Sequence, residues 1–598
     1  MRLQRAATHS RFFGLVVFAA VVAISVGLTR SVLNLSGRDI HFDEALILQT
    51  VDSLVGQRQY ASYGIIRGFG PWLFDPNMTT GPVVALVAAP FWWISGGSIE
   101  LLRLVMCVVA LLYLSGIVAL TQGSRSRALV AGVCMLPFIF AAETHFGEVL
   151  GELPGATLVV WATVLATKRR FLWAALLLGL SVQVKLLFAP FVAVGLVALV
   201  WQARQEQGRP VTRAVRLGAV AAAPTLVFEL WRLITFRGVS GYRRSIEEWR
   251  AYVARQNVNT WGSWRDSGMP GAKWDSFLGL MPLTAWLLVL LALVLGALLP
   301  ALSWARRDSL GVQSELPPPS LLVGLLAGSA IMFLGWFTQS VQAYPRQVLP
   351  VVLLAVPSAV LLASRNFHFS PPRVRSVSGA LMLALTLMLA VGQLGFAWHR
   401  PLSPFSDDQR AALDLIEESG ATSLLANGWY MNPEYGMFAR LPVTHWVQPM
   451  GQLAVVNTLS GPVGVDPLAQ FGLQCGRVLL RRPTLAVCEP DVPDYAELQT
   501  MKVLDWGEKD LELGVVSRKQ VDGFGGLWVI LEPEDPAALR AVQVLVDGSQ
   551  IEVGEVAEDG SVITALVPPS VYRTPGRHVI ELRNAITGQM IPVGEFTL

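Results

Sequence analysis

The chain has 598 residues, of which 53% are hydrophobic and 15% are charged. Soluble domains carry about 25% charged residues, so this composition excludes a soluble enzyme and a disordered protein. The formal net charge of +3, from 46 Lys and Arg against 43 Asp and Glu, is too small to indicate a nucleic acid or another anionic polymer as partner. Long apolar runs occupy residues 1–400, whereas residues 401–598 read as water-soluble sequence. The sequence predicts a polytopic membrane protein with a soluble C-terminal region.

The first apolar stretch, residues 12–34, follows the basic N-terminus MRLQRAATHSRFFG and lacks a small-residue cleavage site. This pattern predicts an uncleaved helix whose basic end lies in the cytoplasm, rather than a signal peptide. Further apolar stretches lie at 81–96, 100–120, 128–143, 153–167, 171–187, 189–201, 217–236, 277–302, 320–341, 347–363 and 377–396.

The basic loops between these stretches decide which of them cross the membrane. The positive-inside rule can place all of these loops in the cytoplasm only if residues 81–96 do not cross. As a helix this stretch would cover about 24 Å of a roughly 30 Å hydrocarbon core, and Pro90 interrupts it. We therefore predict an interfacial helix there, eleven spans, a cytoplasmic N-terminus and a C-terminal region outside. Residues 171–201 are too short for two full spans and predict a short hairpin that turns near 188–190.

With this topology, we expect the functional residues in the outer segments, chiefly loops 35–98 and 237–276. In the first loop, Asp43 and Glu44 open an amphipathic pattern that is typical of a helix on the membrane surface. One interpretation is a pair of acids favoured by the helix dipole. The other is a catalytic base or metal ligand held at the membrane surface.

A second acidic cluster lies in AETHFGEVLGELPG, residues 141–155. Glu148 and Glu152 are spaced i,i+4, so they share a face if this segment is helical, where their like charges repel. A solvated turn is one interpretation, and a substrate site that also includes His145 is the other. Asp43 and Glu152 are the candidate ligands if a divalent metal ion is bound.

Cations are also predicted at the outer face. Lys185 lies in an apolar run where it cannot reach the inner surface, so its ammonium needs a partner such as a phosphate or a carboxylate. Arg346, at the outer start of the tenth span, is expected to bind the same kind of partner, and Tyr344, two residues before it, is a further candidate for substrate binding. Trp261 and Trp264 in loop 237–276 fit either sugar stacking or an ordinary interfacial aromatic belt.

Carboxylates and cations around one outer cavity suit the transfer of a sugar from a lipid phosphate to a hydroxyl. A carboxylate can activate the hydroxyl as a general base, and cations can neutralise the charge on the departing phosphate. A transporter or flippase for a lipid-linked substrate is the alternative, although such proteins usually show internal repeats and charges near the midplane. A membrane scaffold without catalytic activity is the third hypothesis.

Six short motifs occur in an order that resembles C-type glycosyltransferases, and in particular the bacterial branch of family 39, relatives of protein O-mannosyltransferases and of the lipid A aminoarabinose transferase. The motifs, spread over roughly residues 10–400, are FDEALILQ, DPNMTTGPVVAL, IELLRLVM, GEVLGELPG, GLSVQVK and YPRQVLP. The resemblance implies a GT-C fold, a polyprenyl-phosphate sugar donor, inversion at the sugar, and an active site open to the periplasm or cell exterior of a bacterial cytoplasmic membrane.

The resemblance also implies roles for individual residues. Asp43 matches the catalytic acid of the family's first loop and Glu44 matches its neighbour, while Glu152 or Glu148 matches the acid of the second outer turn. Lys185 and Arg346 match cations that hold the lipid phosphate.

Two departures from the family's pattern limit which substrate and which acceptor are expected for this protein. Thr80-Gly81-Pro82 replaces the lysine-proline-proline of the aminoarabinose branch, so the substrate of that branch is not expected here. The absence of MIR domains argues against a protein acceptor and leaves a glycan or a lipid-linked glycan as the expected one.

The C-terminal region divides into two predicted domains. Residues 401–535 mix a helix with short strands and predict an α/β domain. Residues 536–598 alternate apolar and polar residues between turn signals, which is typical of a small, immunoglobulin-like β-sandwich. Cys475 and Cys488 flank a strand-like segment, and they either form a disulfide outside the cytoplasm or remain free thiols.

Overall fold

The structure, a computed structural model, describes residues 42–62, 72–74, 80–121, 131, 133–135, 148–207, 210–243, 245–247, 249–250, 269–291, 294, 317–339, 345–367, 404–421, 424–426, 443–445, 453–457, 474–491, 501–507, 527–533, 542–556, 563–567, 576–584 and 590–597. The N-terminal two thirds of these residues are almost entirely helical. Their helices are α1 (Phe42–Gln57), α2 (Pro82–Ile94), α3 (Ile99–Thr121), α4 (Glu152–Thr167), α5 (Phe171–Val184), α6 (Ala189–Gln207), α7 (Pro210–Thr235), α8 (Met269–Leu278), α9 (Pro319–Gln339) and α10 (Pro345–Phe367). Two short strands, β1 (Ala61–Ser62) and β2 (Trp72–Leu73), pair antiparallel between α1 and α2.

Several of these helices are long and apolar enough to cross a membrane. Within the described residues there are five, or six if the bent pair Pro270–Leu278 and Leu283–Leu291 forms one span. The five lie at Ile99–Thr121, Leu186–Arg204, Val211–Thr235, Pro319–Thr338 and Arg346–Ser364. The chain is therefore a multi-pass membrane protein. The predicted first and last spans, 12–34 and 377–396, lie outside the described residues, so the count of eleven stays a prediction.

Helix α2 corresponds to the stretch that we expect to lie on the membrane surface. It begins with Pro82 at a position that suits proline and ends after only 13 residues, which is about 20 Å of helix. Trp93 and Ile94 at its C-terminal end are largely exposed. Its length is too short for a typical span, and its place at the interface stays a prediction.

The hairpin predicted for residues 171–201 is present, but the break between its two helices lies at residues 185–188 rather than near 188–190. Helix α5 ends at Val184, a single 3-10 turn covers Leu186–Phe188, and α6 follows. A side chain at Gly195 would touch Leu178, so the two helices fold back on each other. The second arm, Leu186–Arg204, is long and apolar enough to cross a membrane, whereas α5 is shorter, so the expectation that residues 171–201 do not form two full spans stays a prediction.

Small residues allow the helices to approach closely. A Cβ at Gly179 of α5 would lie 2.1 Å from the carbonyl oxygen of Ala221 in α7. Membrane helices lack a hydrophobic driving force for association and rely on close packing of this kind. A large buried apolar cluster contains residues from the run of helices from α3 to α10. A smaller cluster joins α1, α2, the start of α3 and the residues around Val149 and Val184.

Beyond the membrane helices, α11 (Pro404–Ser419) packs on a five-stranded mixed sheet. The strand order is β4-β3-β5-β7-β6, and the strands are β3 (Leu424–Ala426), β4 (Val443–His445), β5 (Leu453–Asn457), β6 (Gln474–Arg481) and β7 (Leu485–Asp491). Ala412 and Ile416 of the helix are buried against apolar residues of the sheet. Buried Asp408 accepts hydrogen bonds from the amide and hydroxyl of Thr484, which ties the helix to the β6–β7 turn.

A second, antiparallel sheet has seven strands in the order β14-β13-β10-β11-β12-β9-β8. Its strands are β8 (Met501–Gly507), β9 (Leu527–Pro533), β10 (Val542–Val546), β11 (Ser549–Val556), β12 (Ile563–Val567), β13 (Arg577–Asn584) and β14 (Met590–Thr597). The edge strands β8 and β14 contact each other, so the sheet curls back on itself. This sheet combines β8 and β9, which precede the predicted domain boundary at residue 535, with strands that follow it. The boundary itself stays a prediction. The immunoglobulin-like assignment stays a prediction.

The cysteines fall into two groups. Cys107 and Cys134 are buried free thiols, whereas Cys488 is disulfide-bonded. Cys475 lies on β6 opposite Pro490, two positions from Cys488 on the neighbouring strand. The side chain of Cys475 is outside the described residues, so its pairing with Cys488 stays a prediction that the strand register supports.

Candidate active site

Two helix N-termini bring the first pair of predicted site residues together. Asp43 lies in the first turn of α1, and Arg346 lies in the first turn of α10. Although the two residues are 303 positions apart, the Arg346 guanidinium donates a hydrogen bond to the Asp43 carboxylate in an ion pair. The Asp43 side chain is 27% exposed and that of Arg346 is 13% exposed. Both side chains are therefore partly accessible at the protein surface.

Glu44, the neighbour of Asp43, has a different environment. The Arg103 guanidinium donates to both of its carboxylate oxygens, Nε to Oε1 at 3.1 Å and Nη2 to Oε2 at 2.6 Å. The backbone N–H of Val149 also donates to Oε1 at 3.1 Å. Glu44 and Arg103 are fully buried. Glu44 therefore joins α1 to α3 and to the segment before α4, directly beside Asp43.

The third pair joins the second outer acid to the hairpin cation. Glu152 is the first residue of α4, and Lys185 lies at the break between α5 and the 3-10 turn. The Lys185 ammonium donates to Glu152 Oε1 at 2.6 Å, with both side chains about 5% exposed or less.

Both members of this buried pair have unused hydrogen-bonding capacity within the part of the chain that the structure describes. Glu152 is the only described hydrogen-bond partner of the Lys185 ammonium, which has three N–H donors. Glu152 Oε2 is buried without a described partner. Because unsatisfied buried polar groups are costly, this arrangement favours a ligand that offers acceptors to Lys185 and a donor to Glu152.

The three ion pairs belong to one region. Ile47 near the first pair, Val149 and Leu150 before Glu152, and Val184 before Lys185 all pack in one buried cluster. Glu44 connects directly to Val149, three residues before Glu152. The apolar cluster thus fixes the segments that carry Asp43, Glu44, Arg103, Glu152 and Lys185 relative to one another. Helix α10, which carries Arg346, packs in the larger cluster.

Of the remaining predicted site residues, Glu148 alone lies among the described residues. Glu148 is half-buried in a non-helical segment before α4, so it does not share a helix face with Glu152. Tyr344, His145, Trp261 and Trp264 lie outside the described residues.

A divalent metal ion does not fit the acids that are described. Among these residues, no group of three or more His, Cys, Asp or Glu is placed to hold one. Asp43 and Glu152, the two candidate ligands, each have a cationic partner, which already neutralises the negative charge that a metal ion would use.

Three buried cations among the described residues were not identified from the sequence. Arg103 holds Glu44, Arg232 donates to the hydroxyl and carbonyl oxygens of Ser245, and Lys273 donates to the carbonyl oxygens of Trp336 and Phe337. A signal for the first was available, since Arg103 interrupts the apolar run IELLRLVM and a cation in such a run needs a partner.

Comparison with known proteins gives structural likeness without sequence relatives. No protein-family model matches the chain, and no curated protein matches it. The chain is similar to the solved structure of ArnT from Cupriavidus metallidurans in the apo state, with 12% identity over 81% of this chain and 98% of ArnT and a TM-score of 0.48.

Two further structures show weaker likeness. One is the archaeal oligosaccharyltransferase AglB from Archaeoglobus fulgidus, solved with an inhibitory peptide and a dolichol-phosphate, with 12% identity, coverage of 74% of this chain and 69% of AglB, and a TM-score of 0.39. The other is the arabinosyltransferase EmbB from Mycobacterium smegmatis, with 12% identity, coverage of 97% and 59%, and a TM-score of 0.37.

Proposed function

We propose that this protein transfers a sugar from a polyprenyl-phosphate donor to the hydroxyl of a glycan or lipid-linked glycan, at the outer face of a bacterial cytoplasmic membrane. The observation that carries the proposal is the buried Lys185–Glu152 pair, in which two ammonium N–H groups and Glu152 Oε2 have no partner among the described residues, together with the partly exposed Asp43–Arg346 pair. A sugar phosphate supplies what the first pair lacks, because its phosphate oxygens accept hydrogen bonds and its hydroxyls donate them.

In this reaction Asp43 is the general base. The acceptor O–H bond breaks and its proton passes to the Asp43 carboxylate, while the acceptor oxygen forms a bond to the anomeric carbon from the face opposite the phosphate. The bond between that carbon and the phosphate oxygen breaks, and its electron pair leaves with the polyprenyl phosphate. Inversion at the sugar follows from attack on the opposite face.

Lys185 and Arg346 stabilise the leaving phosphate. The charge that builds on the phosphate oxygen in the transition state is neutralised most effectively by cations held in a site with little water. Arg346 can contact both the Asp43 base and the leaving phosphate, because the N–H groups of a guanidinium point in several directions and can bind a carboxylate and a phosphate together. Glu152 orients Lys185 through Oε1 and offers Oε2 to a sugar hydroxyl.

The test uses purified protein in lipid nanodiscs with a panel of polyprenyl-phosphate sugars, and mass spectrometry of the products. Glycan analysis of a deletion strain first identifies which surface glycan loses a sugar and so selects the donor and the acceptor. Asp43→Asn should lower the rate about 10²–10⁴-fold, which is the usual contribution of a general base.

Asp52→Asn is the matched control on the same helix. Asp52 accepts a hydrogen bond from Trp92 Nε1 at 3.2 Å, and the Asn oxygen can still accept that bond, so the rate should stay near that of the wild type. Transfer by Asp43→Asn at the wild-type rate would remove Asp43 as the base. Absence of transfer from every polyprenyl-phosphate sugar would refute the proposed function itself.

A further inference from the structure

Lys185 is held by backbone contacts from a distant part of the chain. Its backbone is extended, with φ −156° and ψ 131°, between α5 and the following 3-10 turn. Thr80 pairs with Lys185 in an isolated antiparallel β-bridge. The next N–H, that of Gly81, donates to the carbonyl oxygen of Val184 at 2.7 Å. The turn before α2 is therefore bonded to the backbone at Val184 and Lys185.

Gly81 permits this approach because it has no side chain. A Cβ at this position would lie 2.1 Å from the carbonyl oxygen of Gln183 and 2.7 Å from its carbonyl carbon. These are backbone atoms, which cannot swing aside as a flexible side chain does. The φ of −76° and ψ of 178° at Gly81 are open to any residue, so an added methyl group acts through this contact alone.

Two further contacts support the turn and the cation. The Tyr60 hydroxyl donates to the carbonyl oxygen of Thr80 at 3.2 Å. On the opposite side, a Cβ at Gly151 would lie 3.4 Å from the Cβ of Lys185, so the start of α4 also packs closely against this residue. The Thr80–Gly81 turn and the start of α4 thus both lie against Lys185, and Tyr60 supports the turn.

We propose that the Thr80–Gly81 turn is a positioning clamp, which holds the Lys185 ammonium against Glu152 and presents its remaining N–H groups to the donor phosphate. The contact with the phosphate rests on the proposed function, whereas the clamp on Lys185 stands on the geometry above. In this arrangement Gly81 and Tyr60 touch no substrate and act only through the placement of Lys185.

The first test measures the chemical protection of Lys185 and requires no substrate. Intact protein in nanodiscs is treated with an amine-acetylating reagent, and the rate of modification at each lysine is followed by mass spectrometry. Lys185 is buried and paired in the wild type, whereas exposed Lys168 is an internal reference. Gly81→Ala should raise the rate at Lys185 about tenfold or more, as the loss of a charge-assisted hydrogen bond predicts, and leave the rate at Lys168 unchanged.

Gly56→Ala is the matched control, since a Cβ at Gly56 meets nothing within 4 Å and Lys185 should stay protected. Tyr60→Phe keeps the ring and removes only the hydroxyl, so it serves if Gly81→Ala fails to fold. It should raise the rate at Lys185 about two- to tenfold, the effect of one neutral hydrogen bond. If Lys185 stays as protected as in the wild type in every variant that folds, the clamp does not exist.

The second test separates positioning from general damage in the donor reaction. Gly81→Ala should raise the KM for the polyprenyl-phosphate sugar toward that of Lys185→Met, while the KM for the acceptor stays near its wild-type value. A fall in kcat alone would mean that the turn does not act through the phosphate. If Lys185 becomes reactive in Gly81→Ala but the wild type transfers no sugar, the clamp stands and the proposed function fails.

Discussion

The charged side chains of the site fall into pairs with different burial, and burial determines what each pair contributes. Asp43 and Arg346 remain partly exposed, so their charges stay available to a ligand. Glu44 and Arg103 are fully buried and hydrogen-bonded to each other twice. Neighbouring acids, Asp43 and Glu44, thus have separate roles that depend on which side of α1 faces the protein interior.

A stability prediction follows for the buried pair. Glu44→Leu should lower the free energy of unfolding by about 3–5 kcal/mol, because it leaves the Arg103 charge buried without its partner. The double variant Glu44→Leu with Arg103→Met should lose less than either single change, since no lone charge remains. Thermal unfolding in detergent, read as a double-mutant cycle, measures this coupling.

Glu247→Gln is the control for this cycle. Its partner Arg243 lies four residues away on an exposed surface, with side chains 57% and 80% exposed, and such pairs contribute little. The unfolding temperature should therefore hardly change. Equal effects of Glu44→Leu and Glu247→Gln would show that Glu44 does not hold α1 in place.

At the level of whole helices, close packing through small residues decides where the elements sit. Gly179→Ala should push α5 away from α7, because the new Cβ would meet the backbone oxygen of Ala221 at 2.1 Å. α5 ends one residue before Lys185, so the shift should lower thermal stability and donor affinity together. Gly218→Ala on α7 meets nothing within 4 Å and is the control. A Gly179→Ala protein with wild-type stability and affinity would contradict this packing.

The hairpin of α5 and α6 and the place of Lys185 near its turn were expected from charge and length, but the backbone contacts of Lys185 were not. Sequence placed Lys185 at a turn below the outer surface, because both flanks of the stretch are basic. The extended backbone at Lys185 and its bridge to Thr80 depend on a segment 105 residues earlier in the chain. No local pattern in the sequence encodes such a contact.

For the whole molecule, the prediction with the widest consequence is the topology. Residues 397–598 should lie outside and Arg125 inside, as the positive-inside rule requires. Single cysteines replace Met450 and Arg125 in a background without the native cysteines, and intact cells are treated with a thiol reagent that cannot cross the membrane. Labelling is expected at position 450 and not at 125, unless the cells are first permeabilised. The reverse pattern would place the proposed site on the wrong side for a donor at the outer face.

Much of the architecture was evident from the sequence alone. Long apolar runs and the low content of charged residues identify a multi-pass membrane protein, because the hydrocarbon core excludes charge over a fixed thickness. The same reasoning singled out Lys185, since an ammonium in an apolar run needs a partner. Asp43, Glu152 and Arg346 were found as the polar residues left at the ends of the spans.

Only the tertiary structure decided how these residues pair. Asp43 forms an ion pair with Arg346, 303 residues away in the chain, and Glu152 forms one with Lys185. Glu44 pairs with Arg103, a residue that the sequence pattern had not singled out. In the C-terminal region, strands before residue 535 join the sheet of strands after it. The physical reason is the same in each case. Hydropathy and charge patterns report how each residue interacts with lipid and water, whereas partner choice depends on packing between segments that are far apart in sequence.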